Sequence, residues 1–253
     1  MNRFLTGSCL VFFAFVLGAS AQSDFKGFYV GGYAGGASGN SNAQTTTVFS
    51  PTGYFASTSV PAIAAAGAQN LSSTGFTGGG TAGYNYQHNS FVLGFEFDMG
   101  ALRVSDSKST TAPYPCCPTT GFTVTQSVKT DWLLTLRPRV GFVARRVMFY
   151  GTGGLAVANL NYQALFTDTF ATAHENGGVD GTKTGWGAGG GGEFDLGHHW
   201  SMKGEYLYVN LGSVTTTSTN LRAPAATAWP TNVFTHTADF HSHTGRVGFN
   251  FRF

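Results

Sequence analysis

The stretch FVLGFEFDMGA, residues 91–101, decides the fold. Its odd positions carry Phe91, Leu93, Phe95, Phe97 and Met99; its even positions carry Val92, Gly94, Glu96, Asp98 and Gly100. Helical side chains return to one face every 3.6 residues, so no helix separates these two sets, whereas a strand with its period of two does. Three more stretches repeat the pattern. Residues 132–144 set Trp132, Leu134, Leu136, Val140 and Phe142 against Thr135, Arg137, Arg139 and Gly141. Residues 200–212 set Trp200, Met202, Tyr206 and Tyr208 against Ser201, Lys203 and Glu205. The last stretch sets Val247, Phe249, Phe251 and Phe253 against Arg246, Asn250 and Arg252. Glycine-diluted segments at 27–38, 73–87, 147–162 and 184–196 bring the strand total to eight.

Between these segments the connections alternate in length. Residues 88–90, 145–146 and 197–199 make short turns. Residues 39–72, 104–126, 163–183 and 213–238 are long and rich in Thr, Ser, Ala, Asn and Pro, as exposed loops are. Short turns at one end and long loops at the other are the layout of an all-β, eight-stranded antiparallel up-and-down transmembrane barrel, with periplasmic turns and extracellular loops. Composition agrees. Of 253 residues only 10% are charged, against an average of about 25%, while 15% are aromatic and 36 are Gly. A net charge of +2 excludes a general nucleic-acid binder. Apart from residues 10–19 no long apolar run exists, which excludes a bundle of membrane helices. Residues 1–21 read as a cleavable secretory signal: Arg3, an apolar core at 10–17, then Ala19, Ser20 and Ala21 before the cut. Cys9 lacks the setting of a lipoprotein cleavage box. Residues 22–253 then form one barrel domain.

The polar faces carry Glu96, Asp98, Glu193 and Glu205 against Arg137, Arg139, Lys203, Arg246 and Arg252. On a soluble sandwich these would be an ordinary solvated surface. In an eight-stranded barrel they converge on an interior that side chains fill, and unpaired buried charge is costly, so near-neutrality is required. The expectation is a lumen closed by ion pairs, with wall glycines making room for Tyr29 and Tyr33. Pro138 removes a ladder donor in mid-strand and predicts a bulge or a local distortion there.

Seven sequence motifs follow one another along the segments: GFYVGG (27–32), GYNYQ (83–87), GFEFD (94–98), TDWLLTLRPRVGF (130–142), FYGTGGLA (149–156), WSMKGEYLY (200–208) and RVGFNFRF (246–253). In their order and spacing they resemble the eight-stranded outer-membrane β-barrel family of Gram-negative bacteria, OmpA/OmpX-like in architecture, in the outer membrane immunogenic protein or porin family branch. The resemblance implies the cell outer membrane, a structural, surface-exposed role and no enzyme activity. It also implies that Phe249, Phe251 and Phe253 carry a C-terminal assembly signal read by the barrel assembly machinery. The other expected partner is outer-membrane lipid.

Other groups carry less. Gly187–Gly192 spells G-x-G-x-x-G but sits within a strand with no helix after it, so it lacks the setting that cradles a pyrophosphate. His236, His241 and His243 gather near the last strand, with His174 in another loop; polar interface residues are the simpler reading than metal or haem ligands. Cys116 and Cys117 leave a vicinal disulfide, free thiols or intermolecular pairing open. No cofactor and no catalytic residues are expected. A small-solute porin is disfavoured because water-filled barrels need about 16 strands. Loop-mediated adhesion or binding of an unidentified extracellular ligand remains compatible with a structural barrel.

Overall fold

The computed structural model describes residues 23–224 and 227–253; the expected signal, residues 1–21, lies outside them. Eight antiparallel strands close on themselves in sequence order: β1 (Gly27–Thr47), β2 (Gln69–His88), β3 (Phe91–Tyr114), β4 (Cys117–Ala144), β5 (Val147–Asp168), β6 (His174–Gly197), β7 (Trp200–Ser218) and β8 (Phe234–Arg252). β1 closes against β8 from Tyr29↔Arg252 to Thr47↔Phe234. The short turns are as read: Asn89, Arg145, His198 and His199 take the positive φ that tight hairpins require.

Period-two alternation has a direct outcome here. Phe91, Leu93, Phe95, Phe97 and Met99 point outward and exposed, while Val92, Glu96 and Asp98 point inward and buried. The same division holds for Leu136, Val140 and Phe142 against Arg137 and Arg139. Outward apolar side chains form a band around the wall, and the charged interior lies at the depth of that band. Gly83 shows why wall glycines matter, since any Cβ there would collide with the Tyr29 ring and the Phe95 carbonyl.

Two expectations are corrected. Two of the four long extracellular loops, 104–126 and 163–183, are mostly strand. A strand of about 9–11 residues spans a bilayer, yet β4 runs for 28 residues and β3 for 24. The stretch read as a loop at 104–126 is a hairpin that turns at Pro115 and Cys116, and 163–183 reduces to a connection of five residues, 169–173. Thr suits a pleated surface, and the extensions bury Val104, Val128, Leu160, Leu211 and Phe240 in an apolar layer above the charges. The second correction concerns the bulge expected at Pro138: the residue pairs in register with Phe95, and its effect is a local interruption of the β4–β5 ladder, whose pairs pass from Leu136↔Leu155 to Arg139↔Thr152. The Pro138 carbonyl accepts a hydrogen bond from Thr152 Oγ1 at 2.9 Å, and the β4–β5 register is the same on both sides of it. Bulges occur instead between Ala101 and Val104, between Lys129 and Leu133, and between Asn210 and Ser213, where the outward apolar band ends. Asn159 Oδ1 accepts from the Asp131 and Trp132 amides of one bulge at 2.8 and 3.0 Å, and Gly212 takes φ +72° at another.

The extracellular end is roofed. Helix α1 (Ser59–Gly67) lies across the mouth, its carbonyl at Gly67 held by Gln126 Nε2 at 2.8 Å. Ile63 and Ala66 join Phe55, Phe122, Phe166, Leu221 and Phe234 in a second apolar cluster.

Candidate functional site

The interior charges form one connected group. Arg137, rising from β4, donates to Glu96 at 3.0 Å, to Glu205 at 3.1 Å and to Asp98. Arg246 on β8 reaches Asp98 at 2.7 Å and also Glu205. Glu96 further accepts from Lys203 at 2.7 Å and from Arg139 at 3.3 Å, and Arg139 continues to Glu193 at 3.2 Å. Four acids and four bases thus close a neutral set. Arg137 is 0% exposed and Glu96 1%. Unshielded, such charges would be prohibitive, and their mutual pairing is what makes the arrangement tenable.

Uncharged groups complete it. Tyr29 donates to Glu96 at 2.8 Å and Tyr150 to Glu205 at 2.7 Å. The Arg139 guanidinium lies over both tyrosine rings, 4.7 and 5.1 Å from their centroids, and Arg246 lies 4.4 Å from the Tyr33 ring centroid. Asn85 accepts from Arg139 at 2.8 Å, Asn250 donates to Glu193 at 3.1 Å, and Ser201 also donates to Glu193.

The ninth expected member, Arg252, stands apart. It pairs with Asp195 at 2.7 Å near the periplasmic mouth and covers the Phe25 ring at 4.7 Å. Asp195 and Tyr150 were not singled out from sequence. Strand parity could have found them, since each alternates with outward residues of its own strand.

The histidines separate. His236 points inward, buried, its Nε2 3.1 Å from Glu175 and its Nδ1 2.9 Å from Thr45 Oγ1. His241 and His243 point outward and pack against Tyr208. Strand alternation puts His236 on the opposite face from the other two, so they form no common ligand set. Among the described residues the only grouping with metal-ligand spacing is Glu96, Asp98 and Glu205, which is already occupied by Arg137, Lys203 and Arg246. Gly187–Gly192 lies within β6 as barrel wall.

The roof has its own polar anchor. Tyr54 and Tyr114 both donate to Asp168 Oδ2, at 2.6 and 2.8 Å, while Asp168 Oδ1 accepts from the Ala173 amide at 2.8 Å. Burial pushes both phenols up, and the Asp168 carboxylate adds to it. A raised folded-state value contributes stability below the usual phenol value of about 10, and that stability is lost as pH rises beyond it. The roof should therefore hold to about pH 10 and loosen above, because the unfolded phenols ionise there. Trp229 lies 5.7 Å from the Tyr54 ring and reports on it. Its emission, taken as the difference from a Trp229→Phe chain, should stay constant to that pH and shift above it. An unchanged signal at pH 12 would contradict this.

The chain matches the family model described as outer membrane protein beta-barrel domain over residues 7–253. It is 34% identical over 189 residues to a 31 kDa outer-membrane immunogenic protein of Brucella melitensis, covering 74% of this chain and 70% of the relative; the Brucella suis protein of the same description matches equally. Among solved structures, Neisserial surface protein A is similar at 16% identity with a TM-score of 0.37, covering 90% of this chain and 98% of that one. The outer membrane protease OmpT of Escherichia coli is similar at 7% identity with a TM-score of 0.43, covering 90% and 97%. These two likenesses have no bearing on activity.

Proposed function

Because the chain belongs to the outer-membrane β-barrel family, we propose that it is a non-enzymatic structural barrel of the Gram-negative outer membrane, with a closed lumen and a folded extracellular surface. The observation that carries this reading is the neutral, interconnected set of eight buried charges at the depth of the lipid-facing band. Above it stand an apolar layer and the roof of α1. A pore of useful conductance needs mobile water and free charge; here each charged side chain is committed to partners on other strands. Outer-membrane lipid is the partner of the outward aromatics, and the terminal strand is the element offered to the assembly machinery. Purified protein in a planar bilayer should give no steady single-channel current. Stable unit conductance in the unmodified chain would replace this reading with that of a small-solute channel.

A further inference from the structure

The extracellular tip of the β3–β4 hairpin carries chemistry that lumen closure does not use. The chain turns at Pro115 and Cys116, and Cys117 opens β4 opposite Tyr114. The two sulfurs are 2.9 Å apart, with the Cys117 thiol donating to Cys116. Cys116 is exposed, whereas Cys117 is partly covered by the aromatic roof. That hydrogen bond pushes the Cys117 thiol up, and exposure makes Cys116 the sulfur that an incoming reagent meets first. Beside Cys116 opens a cleft of about 190 Å³ lined by Tyr54, Phe55, Tyr114 and Phe170. No third Cys, His, Asp or Glu completes a metal site around the pair among the described residues, and a thiol pair alone is a poor metal centre.

We propose that Cys116 and Cys117 form a surface dithiol that exchanges with disulfides bearing an aromatic or apolar group, Cys116 attacking and Cys117 resolving. In the first step the Cys116 thiolate attacks one sulfur of the incoming disulfide. A mixed disulfide forms on Cys116, the incoming S–S bond breaks, and one thiolate leaves and takes up a proton. The Cys117 thiol then loses its proton to solvent and its sulfur attacks Cys116 Sγ. The Cys116–Cys117 bond forms, the mixed disulfide breaks, and the second thiolate leaves and is protonated. The pair loses two electrons and two protons, and the incoming disulfide is reduced to two thiols. The cleft accounts for the preference: it receives the apolar group while the sulfur it carries faces Cys116.

The test uses the folded, reduced barrel in a Cys9→Ser background with one equivalent of 4,4′-dithiodipyridine. The chain with both tip cysteines should release two equivalents of thiopyridone and keep no adduct. Cys117→Ser should release one equivalent and retain the pyridylthio group on Cys116. Cys116→Ser should react about tenfold or more slowly than Cys117→Ser, given the access that governs exchange. Phe170→Ala should slow reaction with the aromatic disulfide while leaving the rate with hydroxyethyl disulfide unchanged. A stable adduct on the chain retaining both cysteines, or equal rates for the two single variants, would overturn the assignment of roles. Equal slowing of both disulfides by Phe170→Ala would remove the cleft from it.

Discussion

A chain ending at Arg246 should fail to reach the outer membrane as a folded barrel. Residues 247–252 pair on one side with Tyr29 to Ala34 of β1, and residues 247–251 on the other with Trp200 to Gly204 of β7. Their loss opens the closed sheet, and within a bilayer an open edge has no water to satisfy its backbone groups. Phe249, Phe251 and Phe253 also leave the outward face, where Trp200 packs on the Phe251 ring at 5.3 Å. By resemblance to its family the same segment is also expected to carry the signal for insertion. Fractionated membranes and heat-modifiable gel mobility measure both effects. Normal levels of folded protein from the shortened chain would contradict the expectation, and a Phe253→Ala chain separates the signal from closure because it leaves every ladder pair in place.

Arg137→Ala should weaken the barrel against urea far more than it alters flux. Arg137 alone bridges Glu96, Asp98 and Glu205, so its removal leaves three carboxylates sharing the remaining cations. Breaking a fully buried pair costs about 3–5 kcal/mol, because the partner charge stays behind; water entering the vacated volume reduces that figure. The outcome is read as a lower urea midpoint with no steady conductance in either protein. Steady conductance in the unmodified chain, with altered selectivity and an unchanged midpoint in the variant, would show that Arg137 lines a pore.

Much of this architecture was legible from residue order. Alternation at 91–101 and 132–144 located the strands, and the inward set contained eight charges that meet. Reading stopped where bulges intervene. On β4 the inward positions are odd from Leu133 to Val143 but even from Thr130 down to Phe122, and on β7 they pass from Leu211 to Val214. A strand that changes parity looks like the end of a strand, so the Thr- and Ser-rich extensions were read as loops. Helix α1 was missed for a different reason. Its Ala-rich sequence at 62–66 favours a helix, but nine residues make too short a periodic signal, and packing over the barrel mouth is what holds it.

Strand number, order, closure and the division into lipid-facing and inward sides were determined by the sequence alone, because each follows from local alternation between two contrasting surroundings. Which charges pair was decided only in the tertiary structure. Lys203 meets Glu96 across 107 residues and Arg246 meets Asp98 across 148. Arg252, on the same face as Arg246, instead meets Asp195 at the periplasmic mouth. Such partnerships depend on strand tilt and on side chains reaching across a lumen between strands that are not neighbours. A strand's own pattern says which way each charge points, and only the closed barrel sets what stands opposite.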